Sequence, residues 1–324
     1  MTDLNSTVAP GTSQKYFNVV DTTGWEKITT EPAGAEVKHV LADPTDPAKR
    51  WFFKNNTVDE QMRYGEDFAE LIACHLAPML GIASATVQLA IHDDVEGVIS
   101  LDVSPRGLDL THGAAWLPTN GIDDFIYGDK FRKGHSLANI KKSLVGVLPP
   151  PSVLYPDGLT GFDAFAGMCL FDAWIANQDR HEENWAVLRP MIQRPDLKVR
   201  LSPVYDNASS LGFNLSEDRL KFMLEDSESY RVESWCAKAK ANRLERVGAD
   251  HQRLGLVDAA EQALSLCTES GRKHWTDRLH TVDLTQARAI AHQIPKMSDA
   301  RRTFVDKVIT VNLGRIQDVC TKLA

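Results

Sequence analysis

Five ionisable side chains, Asp179, Arg180, His181, Glu182 and Glu183, stand together in the stretch WIANQDRHEENWAVL. Apolar runs lie on either side, and Asn177 and Asn184 flank the charges. Asp179 and Asn184 have the spacing D-x-x-x-x-N. Kinase-type phosphoryl transfer uses that spacing: the Asp accepts or orients the proton of the attacking hydroxyl, and the Asn holds a magnesium ion. A second metal carboxylate is then expected later in the chain, at the end of a neighbouring strand. Asp206, in LSPVYDNASSLG, closes an apolar run and opens a loop of small polar residues. Strands on either side of 189–198 would pair as a hairpin and return Asp206 towards Asn184. An Asp–Asn pair suits magnesium, a hard ion that takes a few protein oxygens and completes its shell with phosphate and water.

Two other metal readings fail on residue type. HEENW begins like H-E-x-x-H but has Trp185 where a second zinc ligand is needed. DRHEEN lacks the Gly of a calcium loop.

The same chemistry calls for a lysine on the α- and β-phosphates of ATP and a glutamate to orient it. Lys54 ends RWFFK, a predicted strand shortly before a predicted helix over 65–81. On that helix Phe68, Leu71, Ile72, His75, Leu76, Met79 and Leu80 recur at helical spacing on one face. Pro78 stands in its last turn and Gly81 at its stop. Glu70 lies off the apolar face and is one candidate partner for Lys54; Glu66, one turn earlier, is the other. TTEPAGAEV (29–37) is the candidate phosphate-covering loop. Its single Gly sets it apart from G-x-G-x-x-G.

These residues need a scaffold. Tyr16 to Pro105 reads as short strands (37–43, 50–54, 85–91, 95–103) with one helix among them. Residues 106–157 are rich in Gly, Pro and polar residues. A helix follows from the cap Thr160, carrying Phe162, Phe165, Ala166, Cys169 and Leu170. WAVLRP and VRLSPVYD read as strands, and 230–324 as mainly helical, most clearly 299–323 after Ser298. The expected layout is a small strand-rich N-terminal lobe over 1–105 and a larger helical lobe over 106–324, an α+β arrangement.

N-Q-D-R-H-E-E-N-W followed by S-P-V-Y-D-N-A-S-S-L-G, together with G-E-D-F-A-E-L-I-A-C-H-L-A-P-M-L-G-I, resembles the signature of the HipA-like serine/threonine kinases. The likeness runs from about Thr29 to Gly212. It implies a two-lobed fold related to protein kinases and lipid kinases, ATP with Mg2+, and transfer to Ser or Thr of a protein substrate. Matched by motif, Asp179 takes the catalytic aspartate's place, Asn184 and Asp206 the metal ligands' and Lys54 the ATP lysine's. An antitoxin-type protein partner and self-phosphorylation belong to the same resemblance. The chain departs from the family in three ways. By the resemblance the chain is expected to be of the short stand-alone type, without the extra N-terminal subdomain of the longer toxins. Asn207 follows Asp206 where His is common. The candidate phosphate loop offers Thr29 and Thr30 where the family carries a modified Ser. A lipid or small-molecule phosphotransferase, or a non-catalytic nucleotide-binding protein, would keep much of the same pattern.

Bulk properties fit these readings. The 324 residues are 43% hydrophobic and 25% charged, enough to bury a sizeable core. A net charge of −8 argues against a protein whose work is coating nucleic acid. The five cysteines are scattered without a C-x-x-C pair, as expected of reduced thiols in a cytoplasm. Neither a secretory leader nor a membrane span is predicted.

Overall fold

The computed structural model describes residues 17–33, 36–59, 62–104, 107–192, 197–225 and 230–323. Strands Val20–Asp21 (β1), Lys27–Ala33 (β2), Glu36–Ala42 (β3), Arg50–Asn55 (β4), Val87–His92 (β5) and Val95–Leu101 (β6) form a six-stranded sheet in the order β1-β5-β6-β4-β3-β2. Alternation along β4 buries Trp51 and Phe53 on one face with Leu41, Ala90 and Ile99. Phe52 and Lys54 therefore point to the other face, the one on which the site is built. β6 closes on β4 at Lys54↔Val98 and Asn55↔Gly97. A Cβ on Gly97 would lie 2.0 Å from the Lys54 carbonyl oxygen, so this approach requires glycine.

Helix Glu66–Leu76 (α1) packs on β5 and β6. The expected single apolar face understates its burial, because Asp67, Ala69, Glu70, Ala73 and Cys74 are buried along with Phe68, Leu71, Ile72 and Leu76. The sheet covers one side and the C-terminal half of the chain covers another. At Ala77–Leu80 the helix tightens to a 3₁₀ turn containing Pro78, and Gly81 stops it at φ 84°.

The predicted phosphate-covering loop over 29–37 differs in the structure. β2 and β3 form an antiparallel hairpin, with Thr29 opposite Val40 and Thr30 opposite His39. Thr29 and Thr30 are thus exposed residues of an edge strand, not of a loop. Gly34 and Ala35, the tip, lie outside the described residues.

The rest of the chain is helical around a small three-stranded sheet, Leu108–His112 (β7), Ala186–Pro190 (β8) and Arg200–Leu201 (β9). Residues 105 and 106, where the lobe boundary is expected, lie outside the described residues. The Gly- and Pro-rich segment that follows contains β7 and two short helices, Gly113–Thr119 (α2) and Leu137–Ser143 (α3). Helix Gly161–Ile175 (α4) is the centre of the core, buried at all 15 positions. Thr160 and Asp163 form a reciprocal capping box at its start, worth about 1 kcal/mol. Around it stand Glu217–Leu224 (α5), Tyr230–Lys238 (α6), Leu256–Leu266 (α7), Glu269–Thr281 (α8), Leu284–His292 (α9) and Asp299–Leu323 (α10). The Trp174 indole donates to the Ile309 carbonyl at 3.0 Å, and Asn312 Nδ2 returns a bond to the Trp174 carbonyl at 3.1 Å. These two bonds lock the end of α4, just before the charged stretch, to α10.

The segment read as the strand VRLSPVYD keeps only Arg200–Leu201 as strand. Pro203 has no N–H to continue the ladder. Val204 instead bridges in parallel to Ser84, and the Ala85 N–H donates to its carbonyl at 2.8 Å. This contact leads the chain directly to Asp206. All five cysteines are buried and free. Among the described residues, no helix is long and apolar enough to cross a membrane.

Candidate functional site

β3, β4, α1 and the loop after β9 converge on Asp206. Lys54 Nζ lies 2.6 Å from its Oδ1 and Lys38 Nζ 3.1 Å from its Oδ2. The register His39↔Phe53 sets Lys38 across from Lys54, one step further along β3 and β4. Two like charges opposite each other in a sheet repel, and Asp206 offsets this. Burial alone would raise the Asp206 pKa. The charges of Lys54 and then Lys38 outweigh burial and hold the carboxyl ionised, well below the ordinary carboxylate range. Lys38 is a member of this cluster that sequence reading misses, since only the register reveals it.

Glu70 is 1% exposed, and its Oε2 has no hydrogen-bond partner. Burial pushes its pKa up to about 6; Lys54 and the backbone N–H of Asn207 oppose the rise, and Asp206 adds to it. Glu70 thus belongs to the same cluster as Lys54 and Asp206. Glu66 is engaged elsewhere, accepting from the Thr57 N–H at 2.7 Å and the Thr57 hydroxyl at 3.0 Å. Because the fold raises the Glu70 pKa, its protonated form favours folding below about pH 4.5, and that contribution is lost as pH rises through 6. Glu70→Gln should therefore gain stability relative to the parent protein across this window, by on the order of 2 kcal/mol. Denaturant unfolding of both proteins at pH 4.5 and pH 7.5 measures the difference; a gap that stays constant with pH would refute it.

The charged stretch begins where Ala176 ends α4 in a left-handed turn at φ 55°. The loop is held by its own side chains. Asn177 Oδ1 accepts from the Asp179 N–H at 3.1 Å, and its Nδ2 donates to Asp172 Oδ1 at 2.8 Å. Asn184 Nδ2 donates to the Asp179 carbonyl at 2.8 Å, which turns its amide oxygen away from that bond. Arg180, 6% exposed, is the hub. It donates to both oxygens of Asp172 at 2.7 and 3.1 Å, to the Asn184 carbonyl at 2.8 Å, to the Tyr205 carbonyl at 3.1 Å and to Asn207 Oδ1 at 2.7 Å. One guanidinium therefore joins α4, the Asp179–Asn184 loop and the segment around Asp206. Asn207, where the resembled family often has His, serves as a neutral acceptor in this hub.

Asp206 itself has φ 56°, a left-handed conformation uncommon for a residue other than Gly. The two flanking segments, one ending in Ala176 and one carrying Asp206, thus reverse by left-handed turns. Asp179 Oδ1 accepts from Arg243 Nε. The carbonyl of Arg243 in turn accepts from His135 Nδ1 at 2.6 Å, while His135 Nε2 accepts from the Trp185 indole at 3.0 Å. These partners assign His135 as the neutral Nδ1–H tautomer, and its burial lowers its pKa against the pull of the Arg243 carbonyl. Arg243 and His135 lie 64 and 44 residues from Asp179, and no local motif marks them.

Among the described residues no group of three or more His, Cys, Asp or Glu side chains is placed to hold a metal. The residues that would hold a magnesium ion are Asp206 and Asn184, whose side chains offer hard oxygens. Asp206 is kept ionised, and Glu70 adds a buried oxygen without a partner. This set fits a magnesium ion that takes most of its shell from phosphate and water. The facing ammonium groups of Lys38 and Lys54 fit a polyphosphate.

By sequence, the chain matches no protein-family profile and no curated protein. By structure, it is similar to the Helicobacter pylori proinflammatory kinase CtkA, with a TM-score of 0.70 over 95% of this chain and 100% of that one at 17% identity. It is also similar to a chain of the Shewanella oneidensis MR-1 toxin–antitoxin complex of HipA, HipB and operator DNA. There the TM-score is 0.50 over 91% of this chain and 66% of that one, at 14% identity. Sequence identities this low speak for the fold alone. With its strand-rich N-terminal sheet and helical C-terminal part, the chain has a kinase-like α+β fold.

Proposed function

We propose that the chain is an ATP- and magnesium-dependent phosphotransferase acting on a Ser or Thr hydroxyl of a protein substrate. The observation that carries this reading is the convergence of Lys54, Glu70 and Asp206 from three separate elements on one cluster. Solvated loop charges have no reason to meet in this way. In this reading Lys54 and Lys38 bind the phosphates, and Glu70 holds Lys54 in place. Asn184 and Asp206 would hold magnesium, which when bound neutralises charge on the transferred phosphoryl group. Asp179 orients the acceptor hydroxyl and takes its proton at Oδ2, the oxygen left over from its bond to Arg243. Thr29 and Thr30, exposed on the edge strand, are the candidate self-phosphorylation residues. An antitoxin-type protein partner stays part of the proposal, supported by the HipA–HipB complex among the structural neighbours. A cytoplasmic location fits the five free thiols.

Incubation with γ-labelled ATP, with and without magnesium, tests the reaction: label should pass to the chain or to an added protein acceptor only when magnesium is present. The nucleotide site has its own test. Magnesium-ATP at about 100 times its Kd should stabilise the fold by roughly 2.7 kcal/mol. Lys54→Ala should remove most of the thermal shift and Glu70→Gln a smaller part, since Glu70 acts through Lys54. Absence of a shift at millimolar ATP would rule out a nucleotide site.

A further inference from the structure

A cavity of about 450 Å³ has Asp179 on its wall. None of Lys38, Lys54, Asn184 or Asp206 lines it. Four arginines do, Arg132, Arg243, Arg246 and Arg253, and among the described residues Asp179 is the sole carboxylate on its wall. Arg243 is paired with Asp179. Among the described residues, no carboxylate stands at ion-pair distance from the other three. This concentration of positive charge occurs in a chain whose net charge is −8.

The wall is built, not a chance gathering of surface side chains. The arginines stand on two loops joined by backbone bonds: the Arg246 N–H donates to the Phe131 carbonyl at 3.0 Å, and the Glu245 N–H to the His135 carbonyl at 2.9 Å. The Arg246 guanidinium lies 5.8 Å from the centre of the Phe131 ring. The Gln178 side-chain oxygen, next to Asp179 in the chain, accepts from the Lys240 N–H at 3.3 Å and from Asn242 Nδ2 at 3.2 Å. That ties the arginine platform to the loop carrying Asp179. Two buried polar atoms on this wall, Arg246 Nε and Asn242 Oδ1, have no hydrogen-bond partner. Arg246 Nε is a donor and Asn242 Oδ1 an acceptor, so of the two only the guanidinium can serve an anion.

We infer that this cavity is the acceptor site, and that it selects a Ser or Thr peptide segment carrying an oxyanion, a carboxylate or a phosphate, close to the target hydroxyl. The inference rests on the phosphotransferase reading for Asp179. Planar guanidinium groups recognise carboxylate and phosphate through paired N–H donors, which a point-charge lysine does not reproduce. A few residues of peptide fill a cavity of this size. A long nucleic acid needs an extended basic stripe, which a chain of net charge −8 is poorly composed to offer. The anion would anchor on Arg246 and Arg253, and the hydroxyl would then face Asp179.

The test measures binding apart from turnover. Fluorescein-labelled decapeptides with a central Ser or Thr, flanked by Asp and Glu, by phosphoserine, by Ala or by Lys, are titrated with the full chain by anisotropy without nucleotide. The Asp/Glu or the phosphoserine peptide should bind at least tenfold more tightly than the Lys and Ala peptides, and the stronger of the two identifies the oxyanion. The Arg246→Gln/Arg253→Gln protein, and the exposed-site variant Arg253→Gln alone, should lose that preference while keeping the full magnesium-ATP thermal shift. Equal binding of all four peptides, a preference that survives the double substitution, or stronger binding of a single-stranded RNA oligomer would each overturn the assignment. If the acidic preference holds but no label is transferred from ATP, the phosphotransferase reading fails and the anion site stands.

Discussion

Asp206→Ala should abolish phosphoryl transfer and also remove the magnesium-ATP thermal shift, whereas Asp179→Ala should abolish transfer and leave the shift nearly whole. The two residues differ in where they act. Asp206 stands half-buried between Lys54 and Lys38, its side chain 23% exposed, and its ionised state depends on both. Its loss removes a proposed metal oxygen and also a carboxylate bonded to both ammonium groups, so their repulsion returns. Asp179 is partly exposed and paired with Arg243, at the cavity proposed for the acceptor. Removing a group that orients and deprotonates the acceptor lowers turnover by about 10²–10⁴. It should not disturb phosphate binding at the lysines. Initial rates with labelled ATP, together with thermal-shift titrations of both variants, separate the two roles. Parent-like turnover in either variant, or loss of the shift in Asp179→Ala, would defeat the division of labour.

The readable parts of this protein are those carried by local pattern. The D-x-x-x-x-N spacing, the strand that ends in Lys54, the capped α4 and the long α10 are all set by residues within a turn or two of each other. What escaped is set by contact between distant segments. Lys38 joins the cluster through strand register, Arg243 through a loop 64 residues after Asp179, and Asn207 through the hub at Arg180. Periodicity found the apolar stripe of α1 but could not report that the C-terminal half of the chain covers its other side, which is what makes Glu70 a buried carboxyl. The place of 29–37 ahead of Lys54 suggested a phosphate-covering loop, yet β-pairing with Val40 and His39 extends the strand through Thr29 and Thr30. In each case tertiary pairing overrides a local signal.

Arg180→Ala should be the most destabilising single change in the charged stretch, costing roughly 3–5 kcal/mol. Arg180 and Asp172 are almost wholly buried, with side chains 7% and 5% exposed. Removing the guanidinium leaves Asp172 with the Asn177 amide but without its counter-charge, and leaves the Asn184 and Tyr205 carbonyls and Asn207 Oδ1 without their donor. Burial alone would lower the Arg180 pKa, but Asp172 outweighs it and holds the guanidinium charged, so the cost is that of breaking a true ion pair. Asp172→Ala should be severe for the reciprocal reason. The double variant should then be less destabilised than the two single changes added together, because neither charge remains stranded. Urea unfolding of the three variants closes this cycle. Full additivity, or an Arg180→Ala protein as stable as the parent, would show that the segment around Asp206 is held by something other than this hub. A positioning role makes one more demand. Arg180→Ala protein that stays folded at low temperature should lose magnesium-ATP affinity although Arg180 lies outside the Lys54–Glu70–Asp206 cluster, because the loops bearing Asn184 and Asp206 lose the guanidinium that fixes them together and keep the Tyr205 hydroxyl's bond to the Glu183 carbonyl.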